Sequence, residues 1–204
     1  MLFEKVRTLE LYFDVKDKDY LIWNDQVVMS STEADYFDKL FSKLKAINIP
    51  ANEVLEIGFG LGISAELIQK KLFPKFHEVI EIDKGIYTDL LNFSKDNPTV
   101  KPILGDWRSL DLNGKKFDLI FHDSYDYSGA EGWEFDNSID DYDVFKRILK
   151  PEGFVCHPHF GDGPVRSVKG FETIILERLT VSPILMWDKS ICRSAAIVLR
   201  KPIH

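Results

Sequence analysis

Residues 54–68, VLEIGFGLGISAELI, decide the fold of this chain. The stretch runs from apolar residues through alternating glycines, Gly58, Gly60 and Gly62, into a pattern that predicts a helix. A strand that ends in a glycine turn and opens a helix brings backbone N–H groups against a ligand, because no side chain intervenes. The stretch therefore predicts a site for a nucleotide-type cofactor at the carboxyl end of a strand.

The spacing of the glycines distinguishes two classes of nucleotide site. A dinucleotide fingerprint requires a glycine at position 63, where this chain has Ile63. The spacing here is Glu-x-Gly-x-Gly-x-Gly, beginning at Glu56. This pattern resembles that of class I S-adenosylmethionine (SAM) methyltransferases. The resemblance implies SAM as cofactor and S-adenosylhomocysteine as product, with Glu56, Gly58, Gly60 and Gly62 among the cofactor-binding residues.

Downstream of residue 51, short apolar runs alternate with helical patterns. Such alternation predicts strands connected through helices, and hence a doubly wound α/β fold with a mainly parallel sheet. Two last apolar runs, 181–187 and 194–201, are separated by a short charged turn and predict an antiparallel hairpin at the sheet edge. The resemblance implies a seven-stranded, Rossmann-like class I methyltransferase sheet.

The first 50 residues follow a different pattern. Residues 7–15 and 20–28 alternate apolar and polar positions on either side of KDKD, which predicts a β-hairpin. The residues after Ser30 predict a helix whose apolar face is formed by Phe37, Leu40, Phe41 and Leu44. We interpret 1–204 as one methyltransferase domain, with 1–50 as a hairpin and helix that form part of a lid and 51–204 as the SAM-binding core.

Two later segments carry further candidates for the cofactor site. HEVIEID contains Glu81 and Asp83, either of which can accept hydrogen bonds from ribose hydroxyls, and Glu81 is the first choice. In LGDWRSL, Asp106 is predicted to accept from the adenine amine and Trp107 to pack on the adenine ring. A plain core position is the alternative for Trp107.

Composition and charge exclude several classes of function. The net charge of -7 and the pI near 5.3 argue against a nucleic-acid partner. No apolar run reaches the roughly 20 residues of a membrane span, and the first residues lack a signal-peptide pattern, so a cytoplasmic protein is expected. Cys156 and Cys192 match no zinc spacing and predict reduced thiols.

A more specific resemblance comes from several segments taken together. VVMSSTEADYF, FDLIFHDSYDYS, EGWEFDNS and ILKPEGFVC resemble, in order and spacing, segments of the guanidinoacetate N-methyltransferase family and of related arginine methyltransferases. The resemblance implies a small guanidino substrate: guanidinoacetate, arginine or a guanidino metabolite. It further implies that Glu33 and Asp123 hold the guanidino group, with Tyr125 and Trp133 as walls of the pocket.

The chemistry of a guanidinium explains why two carboxylates are required. Its pKa lies near that of Arg, about 12.5 to 13.8, so its nitrogens are poor nucleophiles at neutral pH. Two acidic groups orient the planar cation and accept the proton released as the N–C bond forms. Asp123, at the carboxyl end of a predicted strand, is the main candidate for both tasks. The alternatives are a helix-capping box of Ser30 with Glu33, and a strand-end cap for Asp123.

The sequence does not identify the residues that bind the end of the substrate away from the guanidino group. The family holds a substrate carboxylate with backbone N–H groups just after the fifth strand, where this chain has CHPHFGDG and Pro158 has no N–H. His157 and His159 alternate along a strand and are candidates to contact an anionic tail. Two histidines without a third ligand do not make a metal site, so no metal is expected.

Two other functions are compatible with these residues. One is a SAM-dependent methyltransferase of another small amine or hydroxyl, with Asp123 as a general base. The other is a SAM-binding protein without catalysis. An uncovered sheet edge or the N-terminal hairpin makes a homodimer possible.

Overall fold

The computed structural model describes residues 6–131 and 141–203. Its core is a seven-stranded sheet of β4 (Glu53–Ile57), β5 (Phe76–Glu81), β6 (Val100–Leu104), β7 (Phe117–His122), β8 (Leu149–Phe160), β9 (Phe171–Leu185) and β10 (Ile191–Pro202). The spatial order is β6-β5-β4-β7-β8-β10-β9. The pairs from β6 to β8 are parallel, and β10 is antiparallel to both of its neighbours. The predicted doubly wound seven-stranded sheet is confirmed.

Helices cover both faces of this sheet because its central strands carry apolar residues on both faces. In β7, Leu119 and Phe121 join one buried cluster, and Ile120 joins another. The first cluster packs under α1 (Ala34–Ala46), α2 (Ile63–Leu72) and α3 (Lys84–Asp96). The second packs under α4 (Asp141–Ile148). The two buried faces explain why the centre of β7, residues 119–121, is a continuous apolar run of the kind found in parallel strands.

The predicted N-terminal helix is α1. It follows a short 3-10 helix, Ser31–Glu33, and the four residues of its predicted apolar face are fully buried. Tyr36 is buried beside them, and its hydroxyl donates to the carbonyl oxygen of Ala196 at 2.9 Å. This bond ties α1 to β10, so the helix sits at a fixed distance from the carboxyl end of the sheet.

The predicted N-terminal hairpin around KDKD is present, with Val15 paired to Ile22 and Lys16 to Leu21, but its first strand is shorter than predicted. The three-stranded sheet consists of β1 (Val15–Lys16), β2 (Tyr20–Trp23) and β3 (Gln26–Ser30), and its tight turn lies at Asn24 and Asp25. Residues 7–14 are not a strand of that sheet. They run instead past the end of β5, where Leu9 N donates to Ile82 O at 2.9 Å. The apolar alternation of this segment reflects packing against the core sheet.

The predicted closing hairpin is confirmed as β9 and β10, which pair from Ile191 with Leu185 to Pro202 with Phe171. β9 is the edge strand, and β10 inserts between it and β8. No helix within 6–131 and 141–203 is long and apolar enough to cross a membrane.

Candidate functional site

A cavity of about 280 Å³ opens at the carboxyl ends of β4, β5 and β7. That position agrees with the rule that ligands of open α/β sheets bind where the strand order reverses. The cavity is lined by Val28, Met29, Glu33, Ile57, Gly58, Phe59, Gly60, Ile80, Glu81, Ile82, Ile86, Gly105, Asp106, Trp107, Arg108, Asp123, Ser124, Tyr125, Asp126 and Tyr127. The lining includes most of the residues that the sequence singled out.

The glycine loop forms one wall of the cavity. Gly58 and Gly60 have positive φ angles of 90° and 54°, a conformation that glycine adopts without strain. Met29, which sequence analysis did not select, packs on this loop, and its sulfur accepts from Leu61 N at 3.2 Å. Gly62 lies outside the lining and starts α2 in the left-handed region, at φ 76°. Its role is therefore to turn the chain into the helix rather than to contact a ligand.

Glu81 lies in the cavity, at the end of β5. Its Oε2 accepts from Phe59 N at 3.0 Å, and its Oε1 accepts from Asp83 N at 2.8 Å. Burial raises the pKa of this carboxyl. A carboxylate has about four lone-pair positions, so both oxygens can still accept from a ligand hydroxyl. The bonds to the glycine loop fix the orientation in which Glu81 would do so.

Asp83, the second candidate for the ribose contact, has a different role. Its Oδ1 accepts from Ile86 N and caps α3, and its Oδ2 accepts from Leu11 N, both at 2.8 Å. The side chain is only 1% exposed and is not part of the cavity lining. Asp83 therefore holds the N-terminal segment against α3, which corrects its assignment as a cofactor contact.

Glu56 is likewise reassigned, because its carboxylate is engaged by side chains of the protein and is not part of the cavity lining. The residue is fully buried, Ser64 Oγ donates to Oε1, and His77 Nε2 lies 2.9 Å from Oε2. His77 Nδ1 in turn lies 3.0 Å from Gln69 Nε2. Since Ser64 is in the first turn of α2, Glu56 holds the start of that helix behind the glycine loop. It supports the site without touching a ligand.

Asp106 and Trp107 both line the cavity, together with Arg108, which sequence analysis passed over. Asp106 Oδ1 accepts from Arg108 Nε at 3.1 Å, and Arg7 Nε lies 3.6 Å from Oδ2. Trp107 stacks on Phe145 with ring centroids 5.0 Å apart and belongs to the buried cluster under α4. Trp107 therefore packs in the core as the alternative predicted and also lines the cavity, and its contact with adenine stays a prediction.

Glu33 and Asp123 both line the cavity. Glu33 ends the 3-10 helix, and Asp123 directly follows β7. Glu33 is 8% exposed, and its Oε1 accepts from Ser30 N at 2.9 Å. The predicted capping role is therefore real, yet it uses only one oxygen of a residue that also lines the cavity. Burial, and then the neighbouring Asp123, raise the pKa of Glu33. Burial, and then Glu56, raise the pKa of Asp123.

The pKa of Glu33 leads to a prediction about stability. Because its folded pKa lies above the ordinary 4.5, the carboxyl stays protonated in the folded protein while the unfolded chain ionises, so the free energy of unfolding falls as pH rises from about 4.5. Glu33→Gln keeps an oxygen for Ser30 N but carries no charge. We expect the variant to be more stable than the wild type by about 1 kcal/mol or more at pH 8, and about equal at pH 4.

Thermal unfolding of both proteins between pH 4 and pH 8 measures this difference. Asp96→Asn, which removes an exposed carboxylate at the end of α3, controls for a change in net charge. A Glu33→Gln protein that is less stable than the wild type at pH 8 would show that Glu33 is ionised and stabilising in the empty site.

The hairpin sheet and the segment after β7 meet beside the cavity. Tyr125 lines the cavity and donates its hydroxyl to Gln26 Oε1 at 2.5 Å. Tyr127 packs edge-on against Trp23 with ring centroids 5.5 Å apart. Trp133, the other predicted wall, lies outside the described residues. The lid role of residues 1–50 stays a prediction that these contacts are compatible with.

His157 and His159 lie outside the cavity lining, contrary to their predicted contact with a substrate tail. His157 Nδ1 lies 3.1 Å from Pro158 O, and His159 Nε2 lies 3.3 Å from Gly163 O. Both residues are in β8, whose pairing with β10 continues to Phe160. Both histidines therefore lie within the part of β8 that is paired with β10.

The chain is similar in sequence to known methyltransferases. A family model described as guanidinoacetate N-methyltransferase matches residues 5–161. A malonyl-(acyl-carrier protein) O-methyltransferase of Calditerrivibrio nitroreducens is 29% identical over 143 residues, which cover 69% of this chain and 51% of that protein. A protein arginine N-methyltransferase 2 of Candida glabrata is 30% identical over 138 residues, covering 64% and 32%. The chain thus spans about half the length of the first relative and about a third of the second.

Two solved structures share the fold. A putative methyltransferase, yhhF, from Escherichia coli superposes with a TM-score of 0.56 at 12% identity, covering 89% of this chain and 95% of the other. The YcgJ protein of Bacillus subtilis has a TM-score of 0.56 at 14% identity, covering 81% and 99%. At these identities the likeness supports the architecture and nothing finer.

Proposed function

The chain belongs to the guanidinoacetate N-methyltransferase family, and from this premise we propose that it transfers a methyl group from SAM to a nitrogen of a small guanidino compound. The observation that carries the proposal is the pair Glu33 and Asp123. Two carboxyls of raised pKa share one cavity with the glycine loop, and a cation between them would relieve both the burial and the repulsion. A planar guanidinium matches such a pair in charge and shape.

The residues around the cavity fit SAM. Gly58 and Gly60 leave the wall open to a close approach, and Glu81 retains lone pairs for ribose hydroxyls. Asp106 and Trp107 line the same cavity and are the residues that would hold the adenine amine and ring. The cavity is of the size of small-molecule sites, which begin at roughly 300 Å³. When bound, SAM supplies an activated methyl group on a positively charged sulfur.

The two carboxylates then have separate tasks. Glu33 is anchored by Ser30 N and serves as the fixed side of the clamp. Asp123 follows β7 directly, and its backbone N–H donates to Ile57 O at 3.0 Å, so its position is tied to the strand beside the glycine loop. As a guanidino nitrogen gains its methyl group it loses one proton, and Asp123 accepts that proton. A carboxyl whose pKa lies above the usual range is a better base for this step than an ordinary Asp.

Mass spectrometry of complete reactions tests the proposal. Purified protein and SAM are incubated with guanidinoacetate, arginine, agmatine or a simple amine, one at a time. We expect a gain of one methyl mass on a guanidino compound and none on the amine, retained in the control Asp96→Asn. Methylation of the amine or of a hydroxyl compound instead would favour a different small substrate, with Asp123 as a generic base. Binding of SAM without turnover on any substrate would favour a non-catalytic SAM-binding protein.

A further inference from the structure

The cavity has an uneven distribution of charge. Its acidic lining residues are Glu33, Glu81, Asp106, Asp123 and Asp126, and its basic lining residue is Arg108. Arg108 is paired with Asp106 through Nε at 3.1 Å, so its charge is offset within the lining itself. Glu33 is more than nine-tenths buried and has used one carboxylate oxygen, which by itself points to a cationic ligand.

The sheet edge that could receive a substrate carboxylate is already hydrogen-bonded. β8 pairs with β10 as far as Phe160 opposite Ala195, and Gly161 N donates to Ser194 O at 2.8 Å. His159 N donates to the hydroxyl of Tyr36 at 3.3 Å. Pro158 has no N–H to donate. In the part of the chain that the structure describes, the end of β8 therefore presents no cluster of open amide donors to the cavity.

Asp126 is the exposed acidic residue of the cavity lining and marks the mouth of the cavity, where it opens to solvent. It stands three positions after Asp123, lines the cavity and is exposed. Its Oδ1 accepts from Ser128 N at 3.0 Å and from Ser128 Oγ at 2.7 Å, which orients the carboxylate.

These observations lead to a substrate class. We propose that the substrate is a dication, with a guanidinium held by Glu33 and Asp123 and a second positive group at its far end near Asp126. A carboxylate at that end would instead lie among like charges, which disfavours its binding. The inference rests on the proposed function and narrows it to basic guanidines, in contrast to guanidino acids.

Three guanidines of similar length separate this inference from the proposed function. Agmatine, butylguanidine and 4-guanidinobutyrate each carry a chain of four carbon atoms on the guanidino group. The fourth carbon bears an ammonium group in agmatine, is a methyl group in butylguanidine and is the carboxylate in 4-guanidinobutyrate. We expect kcat/KM to fall in that order, with agmatine above 4-guanidinobutyrate by about 100-fold or more. A preference for 4-guanidinobutyrate would overturn the inference and leave the proposed function intact. Absence of methylation on all three, with SAM bound, would count against the proposed function itself.

Asp126→Asn shows whether the preference comes from the mouth of the cavity. An exposed charge pair contributes up to about 1 kcal/mol, so we expect the ratio of kcat/KM for agmatine to that for butylguanidine to fall about fivefold. The control Asp96→Asn removes one charge elsewhere and should leave the ratio unchanged. High salt should reduce the ratio in the wild type and have little effect in Asp126→Asn. An unchanged ratio in Asp126→Asn would contradict the placement of the far end at Asp126.

Discussion

We expect Asp123→Asn to lower kcat for the proposed guanidino substrate by about 100-fold or more, the range for removal of a general base. The substituted side chain has nearly the same shape and can still donate or accept hydrogen bonds, but it cannot take the proton that leaves the guanidinium. The affinity for SAM should change by less than about threefold, because the proposed role of Asp123 is toward the guanidino group and not toward SAM. Steady-state kinetics and a separate binding titration with SAM measure the two effects.

The pH dependence of this loss distinguishes a base from a passive clamp. In the wild type, kcat/KM should rise with pH through the raised pKa of Asp123, because the ionised form both attracts the cation and accepts its proton. The Asn variant should lack this limb. Asp123→Glu restores a carboxylate in a displaced position and should recover part of the activity. If Asp123→Asn retained more than a tenth of the wild-type kcat, the proton would be leaving by another route.

The fold could be predicted from the sequence because its determinants are local. The stretch from Val54 to Ile68 shows a strand, a glycine turn and a helix within 15 residues, and the structure has each in that place. The alternation of apolar runs and helical patterns after residue 51 likewise depends on near neighbours. Parallel strands connected through helices are the arrangement that buries both faces of such runs.

The roles of individual carboxylates were less predictable, since they depend on partners far away in sequence. Glu56 and Asp83 match the positions that a cofactor site needs. The carboxylate of Glu56 instead contacts His77, and that of Asp83 accepts a hydrogen bond from Leu11 N. Glu81, two positions before Asp83, reaches the cavity because it ends β5 next to the glycine loop. No sequence pattern separates these cases, because an acidic residue at a strand end reads the same whether its partner is a ligand or the protein's own backbone.

The N-terminal segment shows a similar limit for secondary structure. Residues 7–15 alternate apolar and polar positions as a strand does, yet only Val15 belongs to the small sheet. Leu9 instead packs with Trp23 and Tyr127 in a satellite cluster next to the end of β5. Alternation indicates that one face of an extended segment is buried, and it does not say which element buries it.

Among alanine substitutions of the glycines that the structure describes, Gly58→Ala should be the most damaging. A β-carbon at this position would lie 2.3 Å from the carbonyl oxygen of Asp123 and 3.2 Å from its carbonyl carbon. Both sides of this contact are held, because Gly58 N donates to Ile80 O and Asp123 N donates to Ile57 O. The φ of 90° adds backbone strain for any residue with a β-carbon. We expect a loss of about 3 kcal/mol or more in the free energy of unfolding, together with a loss of SAM binding.

Alanine substitutions at two other glycines distinguish the cost of backbone strain from the cost of a steric clash. Gly114 has a φ of 78° and nothing within 4 Å of its hypothetical β-carbon, so Gly114→Ala measures the strain alone, about 1 kcal/mol. Gly60→Ala would approach Met29 Sδ to 2.4 Å, but that side chain can turn away, so an intermediate cost is expected. Chemical denaturation of the three variants should rank Gly58→Ala as the least stable and Gly114→Ala as the most stable. If Gly58→Ala lost no more than Gly114→Ala, the end of β7 would be free to shift, and the rigid placement of Asp123 on which its catalytic role depends would be wrong.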